Sequence, residues 1–291
     1  MRRPIQSRGA VFFRSFAATI ALAGAMFALC GLLLERQEQP AEVSSPIEVR
    51  LPGREARLTV MVTGSEEPDG APEFCALIGF LPDRAAIAVC VLPMETRWQA
   101  NGGEDTLAAA WRMGGSSYLR QQLSAWLGIP IDRTLHQSYE DLAAVFTTCG
   151  PLPYHLTEEC AGTVHGREVR FPTGEYTLDA RAFCDLLALN APTDLSRRCD
   201  RRAELLRGLL SFHLPAVLTE SGETLWQNLL NHCQSDCSLL DYKERSAAAK
   251  TLAAREGNPV SCIYPDGTAG GAGYLLSDVT LTCIRSTFGA E

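Results

Sequence analysis

Three glutamates and a row of arginines are the residues of this chain best suited to chemistry. Glu66 follows an apolar run that ends near Val62-Thr63-Gly64, Glu73 precedes the next run, and Glu95 follows a third within Pro93-Met94-Glu95-Thr96-Arg97. Much later, Arg197, Arg198, Arg201 and Arg202 crowd into the first turns of an expected helix. Arg198 is three and four residues from Arg201 and Arg202, so these share a helix face. Cations at that end oppose the helix dipole by about 0.3 to 1 kcal/mol each. A use beyond helix stability follows, the grip of an anion or phosphate in planar guanidinium forks. The plainer alternatives are a solvated basic face paired with Asp200 and Glu204, and glutamates that are ordinary loop residues.

The elements that must position these groups can be read from apolar spacing. Leu58 to Val62, Cys75 to Phe80 and Ile87 to Leu92 are apolar nearly throughout, the pattern of strands covered on both faces. Ligands bind outside the carboxyl ends of such strands. A short helical run from Asp105 stops at Met113-Gly114-Gly115, and a helix runs from Ser116 through Leu127. A brief strand around Thr134 to His136 leads to a helix from Tyr139 to Phe146, which Ser138 can cap. Short β-like runs (Leu152 to Leu156, Val164 to Phe171) precede helices from about Asp179 to Leu189 and Leu195 to Leu214, separated at Asn190-Ala191-Pro192-Thr193-Asp194. The remainder reads as helices at Thr224 to Leu230 and after Ser238, strands at Pro259 to Tyr264 and Val279 to Ile284, and a flexible loop at Gly267 to Gly273. Helices and strands in alternation predict an α/β layer structure.

The chain has 291 residues, 46% hydrophobic and 21% charged, which excludes global disorder. Its first 34 residues carry Arg2, Arg3, Arg8 and Arg14 and no acid, so taking these four charges from the net −8 leaves −12 for the rest. That acidic body argues against a nucleic-acid partner. Phe16 to Leu34 are nineteen uncharged, mainly apolar residues, enough to cross a hydrocarbon core of roughly 30 Å. The expected organisation is a basic cytoplasmic N-terminus (1–15), a transmembrane helix (16–34), a linker rich in Glu, Gln, Pro and Ser (35–54) and an outer domain (55–291). A cleaved signal peptide cut near Ala23-Gly24-Ala25 is the alternative. Eleven cysteines leave ten outside the apolar run; disulfides are expected among them, with connectivity open. Cys233-x-x-x-Cys237 beside His232 lacks a second ligand pair for zinc.

The order of these segments resembles the LytR-CpsA-Psr family of cell-wall proteins. Val62-Thr63-Gly64-Ser65-Glu66 stands where the family has a Gly-x-Asp loop, Leu92-Pro93-Met94-Glu95-Thr96 where it has Ile-Pro-Arg-Asp-Thr, and Arg198-Cys199-Asp200-Arg201-Arg202 where it has Arg-x-x-Arg-Gln. Ala108-Ala109-Ala110-Trp111-Arg112-Met113-Gly114-Gly115 is similar to its Asn-Ala-Ala-Tyr-x-x-Gly-Gly segment. The resemblance implies a three-layer α/β/α sandwich around a central mixed sheet, anchored in the plasma membrane as a single-pass protein with its domain outside the cell. It implies transfer of a glycopolymer from polyprenyl pyrophosphate to peptidoglycan, with magnesium on Glu66 and Glu73, substrate held by Arg97, Arg198 and Arg201, and Glu95 as base. The chain departs from the pattern where Ala71, Met94, Ala188 and Asn190 replace family arginines. A catalytically inactive wall- or lipid-binding envelope protein is therefore the alternative.

Overall fold

A computed structural model describes residues 51–100, 103–191, 193–271 and 273–289. The expected N-terminal segment, the transmembrane helix and linker residues 35–50 lie outside the described residues. Among the described residues no helix is long and apolar enough to cross a membrane.

The first three apolar runs form β1 (Leu58–Ser65), β2 (Phe74–Leu81) and β3 (Ala86–Pro93), an antiparallel meander. A small ribbon, β4 (Arg97–Ala100) and β5 (Gly103–Thr106), then leads to α1 (Leu107–Leu127), β6 (Arg133–Ser138) and α2 (Tyr139–Cys149). Next come β7 (Leu152–Leu156), the hairpin β8 (Cys160–Val164) and β9 (Arg167–Phe171), and β10 (Gly174–Leu178), which pairs back onto β7. Helices α3 (Ala180–Ala188), α4 (Leu195–His213) and α5 (Ser221–Asn231) are followed by β11 (Gln234–Ser235) and α6 (Leu239–Ala253). The described chain ends with β12 (Val260–Ile263), the hairpin β13 (Gly267–Gly270) and β14 (Gly273–Leu276), and α7 (Asp278–Phe288).

Six strands make one mixed sheet in the order β11-β6-β1-β2-β3-β12, with β6 parallel to β1 and β12 parallel to β3. Successive side chains of a strand point to opposite faces, and here both faces are apolar. Phe74, Ala76, Val89 and Val91 join α2, α3 and α4 on one side. Met61, Cys75, Leu77, Cys90 and Leu92 join α1 and α7 on the other. The continuous apolar runs are thus explained by cover on both sides. Five of the ten described cysteines (Cys75, Cys90, Cys160, Cys184 and Cys199) are buried, and all ten are free thiols, so the disulfides expected from their even count are not formed.

Two expectations need correction. Val279 to Ile284 is not a strand but part of α7: Ser277 caps it through the Thr280 amide, and Thr280, Ile284 and Phe288, four apart, are its buried stripe. The β-branched run imitates a strand, whereas the cap and the four-residue spacing belong to a helix. Gly267 to Gly273 is the β13–β14 hairpin instead of a loop, and a Cβ at Gly267 would collide with the Leu275 carbonyl.

The start of the domain is clamped to the β2–β3 turn by a two-pronged ion pair, Arg57 Nε to Asp83 Oδ1 at 2.7 Å and Nη2 to Oδ2 at 2.6 Å, while Arg57 Nη1 reaches the Gly289 carbonyl at 2.8 Å. Hydrogen bonding to Arg57 outweighs burial and holds the Asp83 carboxyl below the usual aspartate range. A depressed folded-state value means that its contribution is complete above the unfolded value of about 3.9 and is lost as pH falls through the folded one. Urea unfolding at pH 7 and pH 3 should therefore show a larger fall in midpoint for the wild type than for Asp83→Asn. Parallel falls would remove this pair from the acid response.

Candidate functional site at the carboxyl rim of the sheet

The parallel strands β1, β3 and β6 end at one rim, where β2 begins. Glu66 follows the last residue of β1, Glu73 precedes the first of β2, Glu95 lies two residues past β3, and Tyr139 follows β6. The β1–β2 loop is held from beneath. Ser65 Oγ donates to the Glu67 carbonyl at 2.5 Å, the Glu73 amide donates to the Gly64 carbonyl at 2.8 Å, and His136 sits between Thr63 Oγ1 (2.9 Å) and the Pro68 carbonyl (3.1 Å). Burial pushes the His136 pKa down, so this imidazole is neutral and structural. Gly64 is required because a Cβ there would strike the Phe74 ring.

Helix α4 supplies the guanidiniums. Asp194 caps it through the Ser196 and Arg197 amides, and its first two turns face the rim. Arg202 is 1% exposed. It donates from Nε to the Leu187 carbonyl at 2.8 Å, from Nη1 to the Glu73 carbonyl at 3.0 Å and from Nη2 to Asn190 Oδ1 at 3.3 Å. Its Nη2 also stands 3.6 Å from Glu73 Oε2, and its guanidinium lies over the Phe74 ring at 5.3 Å. Arg198 donates to the same Asn190 Oδ1 at 3.2 Å and faces Glu95 Oε1 across 4.0 Å. One amide oxygen therefore gathers two arginines.

On the other side of Glu73, Tyr139 donates its hydroxyl to Oε2 at 2.9 Å. Burial first, with Glu73 against Arg202, pushes the Tyr139 pKa well up, so the phenol keeps its proton. The His165 ring meets the Tyr139 ring at 6.1 Å edge to face, and His165 Nδ1 pairs with Glu66 Oε1 at 2.6 Å. The result is one chain of contacts along the rim, in which two polar stretches, Glu66 with His165 and Tyr139 through Glu73, Arg202, Asn190 and Arg198 to Glu95, are joined by the packing of the His165 and Tyr139 rings.

Four of the six residues singled out from the sequence, Glu66, Glu73, Glu95 and Arg198, lie on this path. Arg201 does not: it is buried on the opposite flank, with Nη1 on the Ala191 carbonyl and Nη2 on the Leu189 carbonyl. Arg97 opens β4 and runs its stem past Gly273, whose Cβ position would be 2.8 Å from Arg97 Cγ. Glu66 is held by His165 and Glu73 by Tyr139 and Arg202, and among the described residues no three His, Cys, Asp or Glu side chains are grouped to share a metal ion. Met94, at the position of a family arginine, is 5% exposed and packed in the core.

A mixed α/β sheet carrying arginines and carboxylates on its carboxyl rim defines a protein suited to grasping an anionic ligand. Solved structures share this fold. A candidate transcription regulator from Eubacterium siraeum aligns with a TM-score of 0.74 at 15% identity, covering 83% of this chain and 94% of its own. B. subtilis TagV gives 0.65 at 15% (80% and 95%), and B. subtilis TagU 0.54 at 15% (79% and 94%). At such identities the likeness is one of fold. No protein-family model matches the sequence, and no curated protein does.

Proposed function

We propose that this chain is a LytR-CpsA-Psr-type protein of the cell envelope that grips a glycopolymer by the pyrophosphate of its polyprenyl carrier and passes it to peptidoglycan. TagV and TagU, proteins of that family, share its fold over most of the chain. The observation that carries the reading is the end of the path at which Arg198, its side chain 13% exposed, faces the half-exposed Glu95. Arg198 is secured by Asn190, yet its gap to Glu95 is 4.0 Å, longer than a hydrogen bond. A pyrophosphate oxygen can take the place of the Glu95 carboxylate with little rearrangement, and Glu95 keeps the guanidinium aimed at the rim until then. Glu73 and Arg202 neutralise one another behind it. The acidic remainder of the chain is consistent with a lipid-linked substrate instead of a nucleic acid. Residues 16–34 would attach the chain to the membrane in which a polyprenyl-linked substrate resides.

A charge-assisted hydrogen bond is worth about 1.5 to 3 kcal/mol, roughly 10- to 150-fold in affinity. Full-length protein titrated with a short polyprenyl pyrophosphate in detergent should bind it, and Arg198→Ala should weaken binding by about that factor. Polyprenyl alcohol should not compete. Equal binding by wild type and Arg198→Ala, or equal competition by the alcohol, would reject the site.

The second reading, capture without transfer, is favoured by Met94 lying in the core where the family motif has an arginine. It predicts binding with no release of polyprenyl phosphate when lipid-linked glycan and a peptidoglycan oligosaccharide are supplied together.

A further inference from the structure

Taken with the transfer reading above, on which it rests, the path of side chains leaves one chemical role without a good occupant: the group that receives the proton of the attacking hydroxyl. Glu95 is an anion beside the position of an anionic pyrophosphate, and its facing partner is the guanidinium that would bind that pyrophosphate. A neutral base suits the place better, because accepting a proton makes it cationic as negative charge leaves. The geometry points to His165 as that base, with Glu66 as its positioning residue.

His165 occupies the tip of the β8–β9 hairpin at φ +50, a left-handed conformation that costs most non-glycine residues roughly 1 kcal/mol or more and in which Asn, Asp and His are enriched. Gly166 at φ +71 completes the turn. Backbone held in this region collects at functional sites. The imidazole is 41% exposed, and two contacts fix its plane: Nδ1 on Glu66 Oε1 at 2.6 Å and the edge-to-face packing with buried Tyr139. A carboxylate accepts but cannot donate, so Nδ1 carries the hydrogen, and in the neutral ring the lone pair is then on Nε2. Tyr139 in turn is fixed by Glu73, which pairs with Arg202, so the hairpin tip is tied to the middle of the path.

His155 and Glu175 make a similar pair at 2.8 Å, but out on the β7–β10 ribbon and more exposed, at 59% and 82%. That pair is an internal control.

In the step so assigned, the acceptor hydroxyl oxygen forms a bond to the glycan-side phosphorus as its proton passes to His165 Nε2. The bond from that phosphorus to the bridging oxygen breaks. Its electron pair stays on the polyprenyl phosphate, and the imidazolium returns its proton to solvent.

Two measurements test this. In full-length protein labelled with ¹⁵N-histidine, long-range proton–nitrogen correlations should show His165 with the hydrogen on Nδ1, and Glu66→Gln should disturb that tautomer while leaving His155 alone. His165→Asn, which suits the left-handed turn, should lower kcat for transfer from a polyprenyl-pyrophosphate-linked sugar to a peptidoglycan oligosaccharide by about 10²-fold or more, with little change in KM. His155→Asn should turn over like the wild type. A hydrogen on Nε2 of His165, or His165→Asn turning over within threefold of wild type, overturns the assignment while the transfer reading stands. A wild type without turnover overturns transfer itself, and this role with it.

Discussion

Arg202→Ala is expected to lower the free energy of unfolding by about 3 to 5 kcal/mol, the usual cost of removing one member of a buried ion pair. The side chain is 1% exposed, and its loss strands the Leu187 and Glu73 carbonyls and takes the counter-charge from the Glu73 carboxylate, which keeps only the Tyr139 hydroxyl and partial exposure to water. It also empties the space over the Phe74 ring. Arg202→Met keeps most of the volume, so the difference between the two variants separates packing from charge. Pairing Arg202→Met with Glu73→Gln closes a double-mutant cycle, in which side chains in direct contact should show a coupling of at least about 0.5 kcal/mol. Urea midpoints measure all of it. A loss below about 1 kcal/mol for Arg202→Ala would mean that the path does not hold the rim together.

The same arginine marks the boundary of what the sequence discloses. Periodicity gives β1, β2, β3, α2, α3 and α4 nearly to their ends, because each has a cap or a continuous apolar run written locally: Ser138, Asp179 and Asp194 all accept hydrogen bonds from helix amides. The stop expected at Met113-Gly114-Gly115 is present as non-helical backbone at Gly114 and Gly115, a kink inside α1 where two helices were expected. Carboxylates at loop mouths were legible for the same reason, since strand ends place them.

What spacing does not disclose is which arginine of a helical face turns inward. Arg198, Arg201 and Arg202 share one face by number, yet their side chains diverge by contact: one to the rim, one to the Leu189 and Ala191 carbonyls between α3 and α4, one into the core. Asn190 counted only as a lost arginine, although its Oδ1 is the acceptor that gathers Arg198 and Arg202. His165 gave one local signal, a His-Gly pair inside the β-like run from Val164 to Phe171. Tyr139 gave none, since at the start of a helix an aromatic reads as core. Partners far apart in sequence, Glu66 with His165 and Glu73 with Tyr139, exist only once the sheet has closed.

Arg201→Ala should dissociate stability from binding, in the opposite sense to Arg198→Ala. Arg201 lies buried with its two terminal nitrogens on the Leu189 and Ala191 carbonyls, so it satisfies the end of α3 and the break before α4. Helix ends leave carbonyls without partners, and each buried one left unsatisfied costs about 1 to 3 kcal/mol. Two such carbonyls, with the emptied volume beside Cys160, place the expected loss at about 3 kcal/mol or more in urea unfolding. Burial also lowers the Arg201 pKa, because it takes the guanidinium from water. Affinity for a polyprenyl pyrophosphate, measured well below the unfolding midpoint, should therefore stay within about threefold of the wild type. Arg198→Ala, in contact with Asn190 and Glu95 near the surface, should cost affinity and little stability. If Arg201→Ala abolished binding in a protein that remained folded, the anion would have to be gripped on the α3 side of α4, and the path through Asn190 would not be the site.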